Sequence, residues 1–312
     1  MKKLLFLFGI IALSIRTLAA GETDLVLRTP TGNIYGSLLT PENDTKEVIA
    51  LFISGSGPTD RDGNNPQLKN NAIKFLAEEL CDAGIASIRY DKRFIAASAA
   101  AAIKEEELRF STYVDDARGW IDLFAKEYKY VVVIGHSEGA QIGVLAAAKN
   151  PKVAAVITLA GSGRRPADVI RAQLGAQSQQ LLDMCEPIIK SLEKGSMVDE
   201  VSPVLFFLFR PSVQPYLISW FATDPTAEIA HLQVPVLIVQ GDMDLQTLVE
   251  DADLLAKALP KASKVIIKGM NHVFKECDTT NMMAQYTQTY GNPNLKNIPS
   301  LAPTLIKFIR NL

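Results

Sequence analysis

Short apolar runs alternate with helix-like stretches along most of the chain. A strand buried on both faces has a continuous apolar run, whereas an amphipathic helix places apolar residues three or four positions apart. The runs predict strands over 48–54, 86–90, 130–134, 153–159, 234–240 and 265–268. The spaced segments predict helices over 70–83, 111–127, 137–149, 249–259 and 300–312, the second with Ser111 as its N-cap. This alternation indicates an α/β fold with a doubly wound, mostly parallel sheet.

Two segments depart from the alternation. Residues 24–29 and 33–40 flank Thr31-Gly32-Asn33, whose turn-forming residues predict an N-terminal antiparallel hairpin in the sheet. The stretch of about 161–233 is mostly helical in pattern and lies between two predicted strands. We interpret it as a lid inserted over the C-terminal edge of the sheet, within a single domain over 21–312.

The first twenty residues have a different character. Lys2 and Lys3 precede an apolar run over 4–15, and small residues follow at 17–20. This order is typical of a cleaved signal peptide, and the apolar run is too short to span a bilayer comfortably. The sequence therefore predicts a signal peptide over 1–20 and a periplasmic or secreted mature protein without stable membrane association. An uncleaved membrane anchor is the alternative.

Composition and charge narrow the function classes. Apolar residues make up 48% of the chain and charged residues 21%, as in ordinary globular proteins and unlike disordered chains. The 32 Lys and Arg residues against 34 Asp and Glu residues give a net charge of −2. The chain therefore lacks the basic surplus of a nucleic-acid-binding protein.

No metal-binding pattern is present in the sequence. The cysteines at 81, 185 and 277 match no metal-ligand spacing, and we expect them as buried thiols. The loop over 60–65 is faintly similar to a calcium loop but lacks its central glycine and its terminal glutamate. We expect Asp60, Arg61 and Asp62 to pair with one another and to stabilise this loop.

A G-x-S-x-G motif follows the predicted strand 130–134. Gly135, Ser137 and Gly139 lie where that strand ends and the next helix begins. A sharp turn between strand and helix exposes a serine hydroxyl beside a helix N-terminus, which favours developing negative charge. Ser137 is therefore the candidate nucleophile, the other interpretation being an ordinary N-cap serine.

A serine nucleophile needs a base, and the chain has three histidines. His136 lies inside the turn, which directs its side chain away from the hydroxyl. His231 precedes a predicted strand, whereas His272 follows one. Because catalytic groups in open α/β sheets lie at the carboxyl ends of strands, His272 is the candidate base.

The acid that orients the base should follow a strand between the serine and the histidine. Asp242 and Asp244 both follow the predicted strand 234–240. Either carboxylate could serve, and the other could brace its own turn through a backbone hydrogen bond. The resulting order of serine, acid and histidine is that of an α/β-hydrolase triad.

An oxyanion formed at the serine needs hydrogen-bond donors. One candidate is the backbone N–H of Glu138, directly after the nucleophile. The other should come from the loop after the predicted strand 48–54, where Ser56 is the first choice and Gly57 the second. A glycine-rich turn without function is the alternative for this loop.

Five segments together carry a family resemblance. They are Ser54-Gly55-Ser56-Gly57-Pro58, Asp60-Arg61-Asp62-Gly63-Asn64, Tyr90-Asp91-Lys92-Arg93, Gly135-His136-Ser137-Glu138-Gly139 and Met270-Asn271-His272-Val273-Phe274-Lys275. Over essentially all of 21–312 the chain resembles the α/β-hydrolase superfamily, and more narrowly a group of bacterial serine esterases. One departure follows Arg93, where the group has a glycine-rich stretch and this chain has Phe94-Ile95-Ala96-Ala97-Ser98.

The resemblance implies an α/β-hydrolase fold, a helical lid and a carboxylic ester hydrolase without a cofactor. It implies Asp244 as the acid, three residues after Gly241, and so a triad of Ser137, Asp244 and His272. The expected partner is a small-molecule ester. A peptidase, thioesterase or acyltransferase on the same triad is the first alternative, and a non-catalytic binding protein is the second.

The lid sets the expected acyl preference. We expect its apolar residues to face inward and enclose a pocket of limited size, so that short to medium acyl chains fit and long ones do not. The apolar lid residues expected to face inward include Phe206, Phe207, Phe209, Trp220 and Phe221. An open groove with an interface-activated lid is the alternative and would favour long chains.

Overall fold

The computed structural model describes residues 21–101 and 104–312 of the chain. The predicted signal peptide lies outside these residues. No helix in the described ranges is both long enough and apolar enough to cross a membrane.

An eight-stranded sheet forms the centre of the fold, in the order β1-β2-β4-β3-β5-β6-β7-β8. The strands are β1 (Gly21–Thr29), β2 (Gly32–Thr40), β3 (Val48–Ile53), β4 (Ala86–Tyr90), β5 (Tyr130–His136), β6 (Val153–Leu159), β7 (Val236–Gly241) and β8 (Ser263–Ile267). β1 pairs antiparallel with β2, and β2 pairs antiparallel with β4, whereas the other pairs are parallel. The α/β-hydrolase fold with its N-terminal hairpin is therefore confirmed.

Helices cover both faces of the sheet. They are α1 (Ala72–Asp82), α2 (Phe110–Phe124), α3 (Glu138–Ala147), α4 (Pro166–Gln177), α5 (Gln179–Glu193), α6 (Phe206–Phe209), α7 (Gln214–Phe221), α8 (Pro225–Ile229), α9 (Val249–Ala258), α10 (Met282–Gln285) and α11 (Leu301–Ile309). α1 and α11 bury apolar residues with one face of the sheet, and α2, α3 and α9 do so with the other. The central strands β3, β5, β6 and β7 are thus shielded from water on both sides, which is why their sequences are almost continuously apolar, whereas the edge strand β8 is largely exposed.

Helices α4 to α8 occupy the segment that we predicted as a lid, between β6 and β7. We call the segment 166–229 the lid. It shares one hydrophobic core with α2 and α3, since Ile189, Phe209 and Ile229 are fully buried in the same cluster as Trp120. The lid is therefore packed onto the sheet domain and does not have a core of its own.

Three sequence predictions need correction. α2 begins at Phe110 rather than at Ser111, because the hydroxyl of Ser219 in the lid accepts the Phe110 N–H at 2.8 Å. Asp60, Arg61 and Asp62 do not pair with one another. Their pairings are Arg61 with Asp91 and Asp62 with Arg89, while Asp60 accepts the backbone N–H groups of Asp62 and Asn64. The opposite charges come from Arg89 of β4, from Asp91 directly after it and from Asp24 of β1, and not from the loop itself.

The third correction concerns the apolar tip of the lid. Phe209 and Phe221 are buried and Trp220 is half-buried, as expected, but Phe206 is 42% exposed and Phe207 62% exposed. The reason is that α6 is a single turn, which can bury only one side. Phe209 and the residue four positions earlier, Leu205, occupy that side.

Candidate active site

Ser137 lies at a sharp turn between β5 and α3. Its backbone torsions are φ 54° and ψ −120°, a strained combination that L-residues rarely adopt. The two flanking glycines allow close packing around it. A Cβ at Gly135 would lie 2.1 Å from the Gly139 carbonyl oxygen, and a Cβ at Gly139 would lie 2.2 Å from the Ile53 carbonyl oxygen. The motif therefore requires glycine at both positions for steric reasons.

His272 and Asp244 meet at the carboxyl edge of the sheet, in the loops after β8 and β7. Nδ1 of His272 lies 2.8 Å from Oδ2 of Asp244, and both side chains are almost completely buried. Asp242 instead accepts the backbone N–H of Gly269 at 2.6 Å. The structure thus brings Asp244, and not Asp242, to the histidine.

The Asp244 carboxylate is held in its charged form. Burial by itself would raise its pKa, but the adjoining His272 and the backbone N–H groups of Gln246 and Thr247 outweigh burial and leave the pKa below its ordinary value. Gln240 and the hydroxyl of Thr247 donate further hydrogen bonds to Oδ2. These donors also restrict the rotation of the carboxylate.

His136 packs against the candidate base. Its Nε2 lies 2.9 Å from the His272 carbonyl oxygen, and the two imidazole rings are 4.7 Å apart between centroids. Burial and the neighbouring imidazole lower the pKa of His136 to about 3. His136 is therefore a neutral brace for the His272 loop. His231 is exposed between α8 and β7.

Ser137 shares its edge of the sheet with these groups. The His136 that precedes it contacts His272, but within the described residues no hydrogen bond joins the serine hydroxyl to His272. Such bonds are often long in an unliganded site and shorten when substrate binds.

The two candidate oxyanion donors line the same cavity as Ser137. Gly55, in the loop after β3, is so near that a Cβ there would lie 3.2 Å from the Ser137 Cβ. Neither the Ser56 N–H nor the Glu138 N–H has a hydrogen-bond acceptor among the described residues. Both are available to a ligand atom in the cavity.

The cavity has a volume of about 640 Å³ and lies between the sheet edge and the lid. The lid contributes mainly apolar side chains, among them Ile170, Leu174, Phe207, Leu217 and Trp220. The ring of Trp220 stacks on Phe110 at 5.9 Å, and its indole N–H donates to Gln141 on α3. One wall of the cavity is thus anchored to the helix that begins at the serine.

A model of the alpha/beta hydrolase family matches residues 75–276, about two thirds of the chain. The chain belongs to the alpha/beta hydrolase family. No curated protein sequence matches it significantly.

Solved structures are similar to this α/β-hydrolase in fold. Est1E from Butyrivibrio proteoclasticus with bound ferulic acid has a TM-score of 0.65 at 17% identity, covering 92% of this chain and 98% of that one. An esterase domain from Rhodothermus marinus has a TM-score of 0.58 at 16% identity, covering 93% and 98%. A dienelactone hydrolase from Anabaena variabilis has a TM-score of 0.54 at 17% identity, covering 94% and 98%.

Sequence reasoning did not assign a role to several polar residues of this α/β-hydrolase's cavity. Lys92, Tyr113, Gln141 and Tyr216 all line it, and the Gln141 side chain donates to Thr223 and Glu228 of the lid. Only Lys92 carries a sequence signal, since it belongs to the run Tyr90-Asp91-Lys92-Arg93 directly after a buried strand. The other three belong to helices whose facing partners are distant in sequence.

Proposed function

We propose that this α/β-hydrolase cleaves carboxylic esters through an acyl-enzyme on Ser137. The observation that carries the proposal is the buried His272–Asp244 hydrogen bond, at the same sheet edge as a strained serine and two backbone N–H groups that have no acceptor among the described residues. A nucleophile, an oriented base and donors for an oxyanion are the parts that acyl transfer requires.

In the proposed mechanism, His272 removes the Ser137 proton while Oγ attacks the ester carbonyl carbon. The carbonyl oxygen becomes an oxyanion and accepts hydrogen bonds from the N–H groups of Ser56 and Glu138. His272, charged and stabilised by Asp244, then returns its proton to the leaving alkoxide as the carbon–oxygen bond breaks. Water attacks the acyl-enzyme in the same way and releases the acid.

The cavity favours small esters with short to medium acyl chains. Its volume is within the usual range for small-molecule sites, and the lid covers it with apolar side chains. Each methylene buried there should contribute about 0.8 kcal/mol while space remains. Two proteins of similar structure, an esterase domain and Est1E with bound ferulic acid, support the ester class.

We also propose export of the protein to the periplasm or outside the cell, on the strength of residues 1–20. N-terminal sequencing of protein recovered from the periplasm should give a start near Ala20 or Gly21. A chain in that fraction that still begins at Met1 would contradict cleavage.

A panel of p-nitrophenyl esters with acyl chains of graded length tests the proposed reaction, beside peptide and thioester substrates. Wild-type protein should hydrolyse the shorter esters and react with a fluorophosphonate probe. Ser137→Ala should lose labelling and at least roughly 10⁴-fold of turnover. Ser162→Ala is the matched control, because this serine also lines the cavity but its hydroxyl is bound to Arg164 and Asp251. Peptide cleavage without ester turnover would overturn the ester assignment.

A further inference from the structure

A buried lysine after β4 connects the two segments that carry the candidate oxyanion donors. Nζ of Lys92 lies 2.9 Å from Oε2 of Glu138, and the two side chains are 2% and 3% exposed. The same Nζ donates to the carbonyl oxygen of Gly55 at 2.5 Å. One ammonium group therefore holds both the loop after β3 and the first residue of α3.

The Gly55 carbonyl and the Ser56 N–H belong to one peptide group. Because that group is planar and trans, its C=O and N–H point in opposite directions. A hydrogen bond that holds the Gly55 oxygen toward Lys92 consequently turns the Ser56 N–H the other way. Glu138, whose backbone N–H is the other candidate donor, binds the same lysine through its side-chain carboxylate.

The lid completes this arrangement. The Tyr216 hydroxyl donates a hydrogen bond to Oε1 of Glu138, so that both carboxylate oxygens have a donor. The ring of Tyr113 lies 5.1 Å from the lysine Nζ. Removing two charges from water is costly, and a buried ion pair is often no more stable than a well-packed apolar pair. Stability alone therefore does not explain why an ion pair is buried here, whereas a role in positioning the backbone donors does.

We propose that Lys92 is a positioning residue that sets the direction of the Ser56 N–H and its spacing from the Glu138 N–H, so that both donors converge on one oxyanion. The proposal rests on the ester hydrolysis proposed above. It assigns Lys92 no contact with the substrate.

The test compares two double variants that each remove one buried ion pair. Lys92→Met alone would leave the Glu138 charge buried without a partner and could unfold the protein, so Lys92→Met with Glu138→Gln is used. The matched control is Arg93→Met with Asp116→Asn, since this neighbouring pair is 4% exposed on each side and contacts neither Gly55 nor Glu138. Circular dichroism verifies folding of both variants.

Kinetics on p-nitrophenyl butyrate should separate kcat from KM. Misdirecting one oxyanion donor should lower kcat by roughly 10²–10³-fold in the Lys92 variant, with KM changed by less than about threefold. Inhibition by an alkyl trifluoromethyl ketone, which forms an oxyanion on the serine, should weaken by a similar factor. Inhibition by the corresponding alcohol, which forms none, should not change.

The control variant should keep kcat and ketone inhibition within about threefold of wild type, whatever its melting temperature. A folded Lys92 variant with wild-type kcat, or an equal loss of kcat in the control, would overturn the positioning role. A wild-type protein that neither hydrolyses the ester nor binds the ketone would instead refute the proposed function itself, so the two failures are distinguishable.

Discussion

The floor and the roof of the cavity are built in opposite ways. The floor is the sheet edge with Ser137 and the loops around it, where backbone segments approach within distances that exclude any Cβ. The roof is the lid, held to the floor by side-chain contacts such as Trp220 with Gln141 and Arg210 with Glu105. The floor has little freedom to change, whereas in the roof a Cβ at Gly175 would meet only a methyl group of Leu182 and one at Gly195 would meet nothing within 4 Å.

Side chains are also more deeply buried on the floor than on the roof. On the floor, Asp244 accepts hydrogen bonds on both oxygens and is fully buried. On the roof, the side chain of Arg210 is 40% exposed, and Val204 and Phe207 are each 62% exposed. A catalytic carboxylate needs such a buried and fully hydrogen-bonded position, whereas side chains that select among substrates tolerate exposure.

The largest expected effect is on the floor, at the acid. Asp244→Asn should lower kcat by roughly 10⁴-fold, because an amide stabilises neither the required tautomer nor the charged form of His272. Asp242→Asn is the matched control, because this carboxylate is two residues away and accepts a hydrogen bond from the backbone N–H of Gly269. Kinetics on a p-nitrophenyl ester measure both. A larger loss in the Asp242 variant would mean that the acid is wrongly assigned.

A pair of glycine substitutions compares the rigidity of floor and roof directly. Gly139→Ala should cost more than about 3 kcal/mol of unfolding free energy, because the new Cβ would overlap the backbone oxygen of Ile53. Gly175→Ala in α4 should be tolerated, since its Cβ meets only a methyl group of Leu182 at 3.3 Å. Urea unfolding measures both changes. Equal losses in the two variants would contradict the difference between floor and roof.

Acid should destabilise the floor through His136. Its pKa is about 3 in the folded chain and near 6.5 when unfolded, so between these values the unfolded chain binds one more proton. Stability should therefore fall by about 1.4 kcal/mol per pH unit as the pH drops below 6.5. Urea unfolding at several pH values should show a weaker slope for His136→Gln. A His136→Gln variant that keeps the wild-type slope would contradict this assignment of the pH dependence to His136.

The smallest effect concerns the roof and the acyl chain. In wild type, kcat/KM should rise about fourfold for each added methylene until the cavity is full, and then fall. Ile170→Trp should move the optimum to a shorter chain by occupying space in the cavity, while Ile170→Leu should leave it in place. Full activity on C14–C18 esters would favour the open, interface-activated lid instead.

The strands and the serine turn of the floor were predictable from the sequence because their constraints are local. Buried parallel strands require continuous apolar runs, and the serine turn requires Gly135 and Gly139. The placement of His272 followed from its position after a strand, and the resemblance to known esterases pointed to Asp244. The site roles themselves remain predictions for the experiments above.

The roof and the connections between loops were not predictable in the same way. The start of α2 depends on Ser219, which is 109 residues later in the chain, and the charges of the 60–62 loop pair with Arg89 of β4 and with Asp91 directly after it. The helix α10 and the π-helical turn Tyr286–Tyr290 had no clear periodic signal. A helix start or an ion-pair partner of this kind depends on which residue lies nearby in the folded chain.

By itself the sequence determined the order of strands and helices, the hairpin and the serine turn, because short-range sterics and hydrophobic periodicity are written in neighbouring residues. Only the tertiary structure decided that Asp244 rather than Asp242 touches His272, that Phe206 and Phe207 stay partly exposed, and that Lys92 joins Gly55 to Glu138. Hydrogen bonds and burial depend on distances between residues far apart in the chain, and folding alone sets those distances.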